Sequence, residues 1–182
     1  MLTKIAVLRN WGLGFFILFI SIFNSNAQAN HEYLKFEIRF GFVKGGEAVF
    51  QSNDTLINHE NLIHAHLHGY TTGFANLLYA VNDKYESWLS PNDNLVKKAT
   101  IDVKENSYTF QNEVIFSHFD GMAYSEKKGN QYIPYGTADV SALMHSLRYS
   151  NTLNNLVLHQ IVPIPFWDSA QFYPLEIQFT GV

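Results

Sequence analysis

The sequence predicts a mainly β fold, either a curved antiparallel sheet or a partly open barrel, with one packed helix. Three observations lead to this prediction. Apolar and polar residues alternate with a period of two along most of residues 30–182, short polar turns separate the alternating runs, and a single segment has helical periodicity. Period two places successive side chains on opposite faces of a strand. No repeat or linker divides residues 30–182, which are therefore predicted to form one β-rich domain.

The strands follow one another with short turns between them. The clearest is 34–40, where apolar and charged residues alternate strictly. Residues 44–47 are predicted to be a turn, because paired glycines adopt positive φ at little cost. Residues 71–80 fit one short helical turn, and 91–94 and 120–121 fit turns. The remaining predicted strands are 48–52, 62–70, 83–89, 95–103, 108–118, 122–125, 156–162 and 172–179, and the apolar inner face is predicted to carry Phe36, Ile38, Phe40, Phe110, Val114 and Phe116.

The one predicted helix begins after Asp139, a residue type that caps helix N-termini. Its apolar stripe consists of residues at helical spacing, which predicts packing against a face of the sheet: Val140, Leu143, Met144 and Leu147. Ser141 and His145 lie four positions apart on the same helix. We interpret them as surface neighbours and not as a catalytic pair. The sequence also contains no Gly-x-Ser-x-Gly motif and no cysteine nucleophile.

The N-terminus has the layout of a secretory signal peptide. Lys4 and Arg9 precede an uncharged apolar stretch of 13 residues, 11–23, and small residues follow at Ala27 and Ala29. A helix that spans a bilayer needs about 20 apolar residues. We therefore predict a signal peptide over 1–29, cleavage after Ala27 or Ala29, a periplasmic or secreted location, and no transmembrane span after cleavage.

Composition excludes several classes of protein. The chain has no cysteine, which rules out disulfides and a bacterial lipoprotein anchor. Lys4 and Arg9 are the only charged residues before residue 30, so residues 30–182 contain 10 Lys and Arg against 16 Asp and Glu, a net charge of −6. A nucleic-acid partner is not expected, because phosphate contacts need clustered cations.

Three alternating histidines form the one candidate site. His64, His66 and His68 project to the same face if residues 62–70 form a strand. Imidazoles in this arrangement are used as ligands for Zn²⁺ or Cu²⁺ when further ligands complete the shell. Candidates for those further ligands are His59, His118 and His159. The alternative is that the three histidines are simply solvent-facing residues of a half-buried strand.

Four segments, in order along the chain, resemble a known family. They are residues 36–48, 69–75, 83–88 and 163–168, with the sequences FEIRFGFVKGGEA, GYTTGFA, DKYESW and PIPFWD. Together they resemble the domain-of-unknown-function family 3108, exported proteins common in the Bacteroidetes. The resemblance implies a curved antiparallel sheet that closes part-way into a barrel. It implies no catalytic residue. Members of the family usually continue beyond the position of Val182, so the chain is expected to be a member shortened at its C-terminus.

These observations favour an exported cell-envelope protein that is not an enzyme. The leading hypothesis is a binding or scaffold domain for an apolar or amphiphilic, lipid-like ligand, since a curved sheet with one aromatic-rich face encloses such molecules. A second hypothesis is a metal-binding protein that uses His64, His66 and His68. A third is a protein–protein interaction module that pairs an exposed sheet edge with another envelope protein.

Overall fold

The computed structural model describes residues 5–7, 31–149 and 157–180. The protein is mainly β, as predicted, and its large antiparallel sheet is open and not closed into a barrel. In chain order the elements are β1 (Ile5–Val7), β2 (His31–Phe40), β3 (Val43–Ile57), β4 (Glu60–Thr71), α1 (Gly73–Leu78), β5 (Asn82–Leu89), β6 (Val96–Glu105), β7 (Tyr108–Ser117), β8 (Met122–Ser125), β9 (Gly129–Tyr132), α2 (Val140–Tyr149), β10 (Ile161–Asp168) and β11 (Gln171–Phe179).

Two sheets organise these strands. The large sheet is a meander in the order β2-β3-β4-β5-β6-β7-β8-β9, and the small sheet has the order β1-β11-β10. Within the described residues, β2 and β9 are the edges of the large sheet. The predicted signal peptide lies outside the described residues apart from residues 5–7, whose main chain pairs with β11.

The two faces of the large sheet have different surroundings. We call the face that packs against α2 and the β10–β11 hairpin the inner face, and the opposite one the outer face. The core lies at the inner face, where Phe50, Ala65, Leu89 and Val114 are fully buried together with Trp167 of β10. Trp167 follows the Pro-Ile-Pro segment and packs edge-on against Phe116, with ring centroids 5.8 Å apart.

The first hairpin turn was predicted at the wrong residues. The turn lies at Gly41 and Phe42, and the predicted turn 44–47 belongs to β3. Gly41 has φ +60, the left-handed conformation that favours glycine. Gly46 has another purpose: a Cβ atom there would lie 2.5 Å from the carbonyl oxygen of Tyr70 on β4. The glycine at position 46 therefore permits the close approach of β3 and β4 and does not form a turn.

The strand predicted at 156–162 was also misplaced. Residues 158–159 form a turn, and β10 runs through both prolines as far as Asp168. The carbonyl oxygen of Pro165 accepts a hydrogen bond from the amide of Ala138, and the amide of Trp167 donates to the carbonyl oxygen of Ala138. The backbone groups of Pro165 and Trp167 therefore point away from β11. Pro163, two residues earlier, faces the same way. The prolines therefore cost no hydrogen bond to β11, which is why an edge strand accepts them.

Candidate functional site

The histidine row (His64, His66 and His68) lies on the outer face of β4, as the alternation predicted. The rings stack in succession, with centroids 6.4 Å apart for His64 and His66 and 6.2 Å apart for His66 and His68. An aromatic ring closes each end, Trp88 at 5.0 Å from His64 and Tyr70 at 4.9 Å from His68. The result is a continuous ladder of five rings across β4 and β5.

Stacking holds the imidazoles parallel, with tilts of 15° and 19° between neighbours. Two nitrogens that bind one Zn²⁺ lie about 3.4 Å apart, so neighbouring rings must rotate before they share an ion. Among the described residues no group of three or more His, Cys, Asp or Glu is arranged to hold a metal. His118 instead bonds the carbonyl oxygen of Val96, and His59 and His159 lie in turns. The metal site stays a prediction.

Burial favours the neutral form of His66, the middle residue of the histidine row. Burial lowers the pKa of His66 below its usual value, and the neighbouring carboxylate of Glu86 opposes that effect. The Nε2 atoms of His64 and His66 are buried and have no hydrogen-bond partner within the described part of the chain. Glu86 is the nearest carboxylate, with its Oε2 atom 3.7 Å from Nε2 of His64.

A polar groove runs beside the histidine row on the outer face. Its volume is about 330 Å³. The lining is dominated by charged and amide side chains, among them Lys84, Glu86, Asp102, Gln111 and Glu113. Removing these charges from water would be costly, so the groove does not suit an apolar ligand.

The inner face divides into a covered half and an open half. Of the residues predicted to form it, Val114 and Phe116 are buried, whereas Phe36, Ile38 and Phe110 are only half-buried. The side chain of Phe40 lies outside the described residues. We call the region bordered by Phe36, Ile38 and Phe110 the open half.

The floor of the open half is made of small residues. Ala48 on β3 pairs directly with Gly69 on β4, and Phe36 pairs with Ala48 on its other side. A Cβ atom built on Gly69 would meet no other atom within 4 Å. Apolar side chains of β2 therefore border the open space on one side, and Asp83 of β5 pairs with Gly69 on the other.

Polar contacts dominate where α2 meets the sheet. Asp139 is the N-cap that the sequence predicted, because its Oδ1 atom accepts a hydrogen bond from the amide of Ala142 at 2.9 Å. The same oxygen accepts a hydrogen bond from the hydroxyl of Ser87 at 2.5 Å. Burial raises the pKa of the Asp139 carboxyl to about 6, and the hydrogen bonds only partly oppose this.

The interpretation of Ser141 and His145 as surface neighbours was wrong. Both are buried, and each contacts the sheet. The Ser141 hydroxyl donates to the carbonyl oxygen of Tyr85 at 2.8 Å, and Nδ1 of His145 lies 2.9 Å from the hydroxyl of Ser52. Sequence reasoning missed Ser52, because 93 positions separate it from His145. Leu143 and Met144 of the predicted stripe do pack against the core, although they are only partly buried.

One end of the large sheet exposes several large apolar side chains. Phe42 in the β2–β3 turn is 91% exposed, and α1 exposes Phe74 at 67%, Leu77 at 80% and Leu78 at 67%. We call these four residues the apolar end. The turn and the helix lie together, since the amide of Thr72 before α1 bonds the carbonyl oxygen of Gly45 in β3. The signal for it in the sequence is that residues 70–82 contain no charged residue.

The fold and these surfaces define a domain built on an open antiparallel sheet, with one face partly covered by a helix and a hairpin. The chain belongs to the family described as Protein of unknown function (DUF3108), whose model matches residues 35–182. No curated protein and no solved structure matches the chain. Within the described residues, neither helix is long and apolar enough to cross a membrane.

Proposed function

We propose that this is a non-catalytic binding domain of the cell envelope, exported by residues 1–29, which holds an amphiphilic molecule on the open half of the inner face. The observation that carries the proposal is the open space above Gly69. Elsewhere on this face the core is filled, as the full burial of Phe50 and Val114 illustrates. An apolar chain laid over Gly69 and Ala48 would contact Phe36 and Ile38 of the neighbouring strand β2.

The energetics favour an apolar group in this position. Burying an exposed apolar side chain contributes roughly 1.5–3 kcal/mol. The two half-buried side chains on β2, Phe36 and Ile38, therefore supply part of a micromolar affinity, which corresponds to about 8 kcal/mol. The ligand's polar end has a hydrogen-bonding group beside this region in Tyr85, a half-buried residue of β5. Burial raises the pKa of the Tyr85 hydroxyl well above its usual value, so it stays protonated and is a donor.

The direct test fills the space. In Gly69→Val, a β-branched side chain occupies the volume above the floor at a strand position that suits it. We expect a long-chain fatty acid or an apolar fluorescent dye to bind the wild-type protein, and Gly69→Val to lose at least tenfold in affinity without loss of thermal stability. Thr100→Val, which places the same side chain on the outer face, is the matched control and is expected to bind like wild type.

Two results would contradict the proposal. One is wild-type protein that binds neither probe and yields no amphiphile on mass spectrometry of the protein recovered from cells. The other is a Gly69→Val protein that folds and binds with wild-type affinity. Export is tested separately, by sequencing the N-terminus of the recovered protein: a first residue of Gln28 or Asn30 is expected, and retention of residues 1–29 would contradict it.

A further inference from the structure

We propose that the apolar end is a lipid-docking surface, which inserts Phe42 and the exposed side of α1 into the outer part of a bilayer. This inference goes beyond ligand binding on the open half, because it concerns different residues and an assembled lipid surface. Its first support is exposure. Phe42, Phe74, Leu77 and Leu78 are all at least 67% exposed, and they are contributed by two adjacent segments. Clustered exposure of large apolar side chains marks an interaction surface.

The second support is the construction of α1. This helix has six residues, Gly73–Leu78, and buries none of its side chains. The loop around it is held by polar contacts, since the Thr71 hydroxyl accepts a hydrogen bond from the amide of Val81 and donates to Asn76. The phenylalanine and the two leucines of α1 therefore contribute no buried side chain to the core. Their apolar character has its physical use only against another apolar medium.

The third support is the charge pattern, which suits insertion into a bilayer. The chain carries no charge from residue 40 to 43 or from 70 to 82. Hydrocarbon penalises every buried charge, so an exposed segment without charges suits insertion into a bilayer. Two cations, Arg39 and Lys44, flank the uncharged turn immediately on either side and form exposed ion pairs with Glu37, which are weak enough to exchange for lipid phosphates. Long cationic side chains at such positions reach the phosphates of the headgroup layer while the apolar tip enters below it.

The sharpest test uses two exposed phenylalanines in turns at opposite ends of the sheet. Phe42 lies in the β2–β3 turn, and Phe119, which is 99% exposed, follows β7 at the other end. Co-sedimentation is measured with vesicles of phosphatidylcholine, and with vesicles of equimolar phosphatidylcholine and phosphatidylglycerol. We expect wild-type protein to bind both. Phe42→Ser should reduce the partition constant about tenfold and Phe42→Ser/Leu77→Ser about a hundredfold, whereas Phe119→Ser should bind like wild type.

A second readout locates the insertion directly. Phe42→Trp and Phe119→Trp place a reporter at each end. Brominated lipid is expected to quench the fluorescence of Phe42→Trp and to leave that of Phe119→Trp unchanged.

Several outcomes would overturn the proposal. They are the absence of wild-type binding to either vesicle, equal losses in Phe42→Ser and Phe119→Ser, and equal quenching of both reporters. A wild-type dimer in sedimentation velocity that dissociates in Phe42→Ser/Leu77→Ser would also overturn it, since a second copy would then cover the apolar end. Gly69→Val leaves the apolar end unchanged, so its vesicle binding should equal that of wild type. Failure of ligand binding and failure of docking are thereby distinguished.

Discussion

Asp139→Asn should stabilise the protein at neutral pH. Asp139 is 1% exposed beneath the start of α2, and burial raises the pKa of its carboxyl from 3.8 to about 6. Its Oδ1 atom accepts hydrogen bonds from Ser87 and Ala142, while Oδ2 is without a partner in the part of the chain that the structure describes. An asparagine keeps the accepting oxygen and carries no charge to desolvate.

The size of the stabilisation by Asp139→Asn, and its dependence on pH, follow from the raised pKa of Asp139. Well below pH 3.8 the carboxyl is protonated in both the folded and the unfolded states, so charge burial costs nothing. Between pH 4 and 6 the unfolded chain loses the proton first, and the folded state becomes progressively less favourable. Above pH 6 the full cost of about 3 kcal/mol applies. Asp139→Asn should therefore raise the free energy of unfolding by about 1–3 kcal/mol at pH 8, after allowing for the new amide group, and by no more than about 0.5 kcal/mol at pH 4.

The assay is urea unfolding, followed by circular dichroism at pH 4, 6 and 8. The control is Asp93→Asn in the β5–β6 turn, where the pKa of the carboxyl is shifted in the opposite direction. Burial of Asp93 opposes its ionisation, but hydrogen bonds from Ser90 and from the amide of Leu95 outweigh burial and lower its pKa. Asp93→Asn should thus destabilise the protein by a similar amount at pH 8 and at pH 4, because this stabilisation is lost only as the pH falls below 3.8. A difference between Asp139→Asn and wild type that is the same at pH 4 and pH 8 would refute the reasoning.

Three further predictions concern the sheet. Gly46→Ala should lower the free energy of unfolding in urea by about 1–3 kcal/mol, because its Cβ would lie 2.5 Å from the Tyr70 carbonyl oxygen. Gly69→Ala is the control and should be neutral, because its Cβ meets open space. Equal effects of the two substitutions would contradict the close approach at Gly46. Glu47→Gln should lower the melting temperature at pH 7, because hydrogen bonds from two lysines and a tyrosine hold the pKa of Glu47 at about 2. That stabilisation exists above pH 4.5 and disappears as the pH falls through 2, so thermal unfolding of wild type and variant should converge there; a constant gap would argue against it. If the histidine row binds Zn²⁺ or Cu²⁺, elemental analysis should give about one ion per chain in the wild-type protein and none when all three histidines are replaced by alanine. A wild-type content under about 0.1 ion per chain would contradict the metal hypothesis.

Local alternation predicted most of the large sheet because it depends only on nearest neighbours. Strand 34–40 lies within β2, and 122–125 matches β8. The glycine pair at Gly45 and Gly46 misled the prediction, because a glycine that permits a turn and a glycine that permits close approach look alike in sequence. The role of Gly46 depends on Tyr70, which is brought near only by strand pairing.

The site was less predictable for a related reason. Period two correctly placed the histidine row on one face, but ring stacking with Trp88 and Tyr70 depends on cross-strand register. The polar contacts of α2 join residues far apart in sequence, such as Ser52 and His145. Helical periodicity is detected from apolar residues. It predicted the helix α2, but it cannot show that α2 contacts the sheet through serine, aspartate and histidine side chains.

The prolines of β10 have a consequence for assembly. The outward side of this strand has no amide hydrogen at Pro163 or Pro165. The carbonyl oxygen of Pro165 and the amide of Trp167 already bond Ala138. An incoming strand needs alternating donors and acceptors. The hairpin therefore terminates the small sheet on this side, which leaves intermolecular strand pairing to the edges of the large sheet, of which β2 is ten residues long and β9 four.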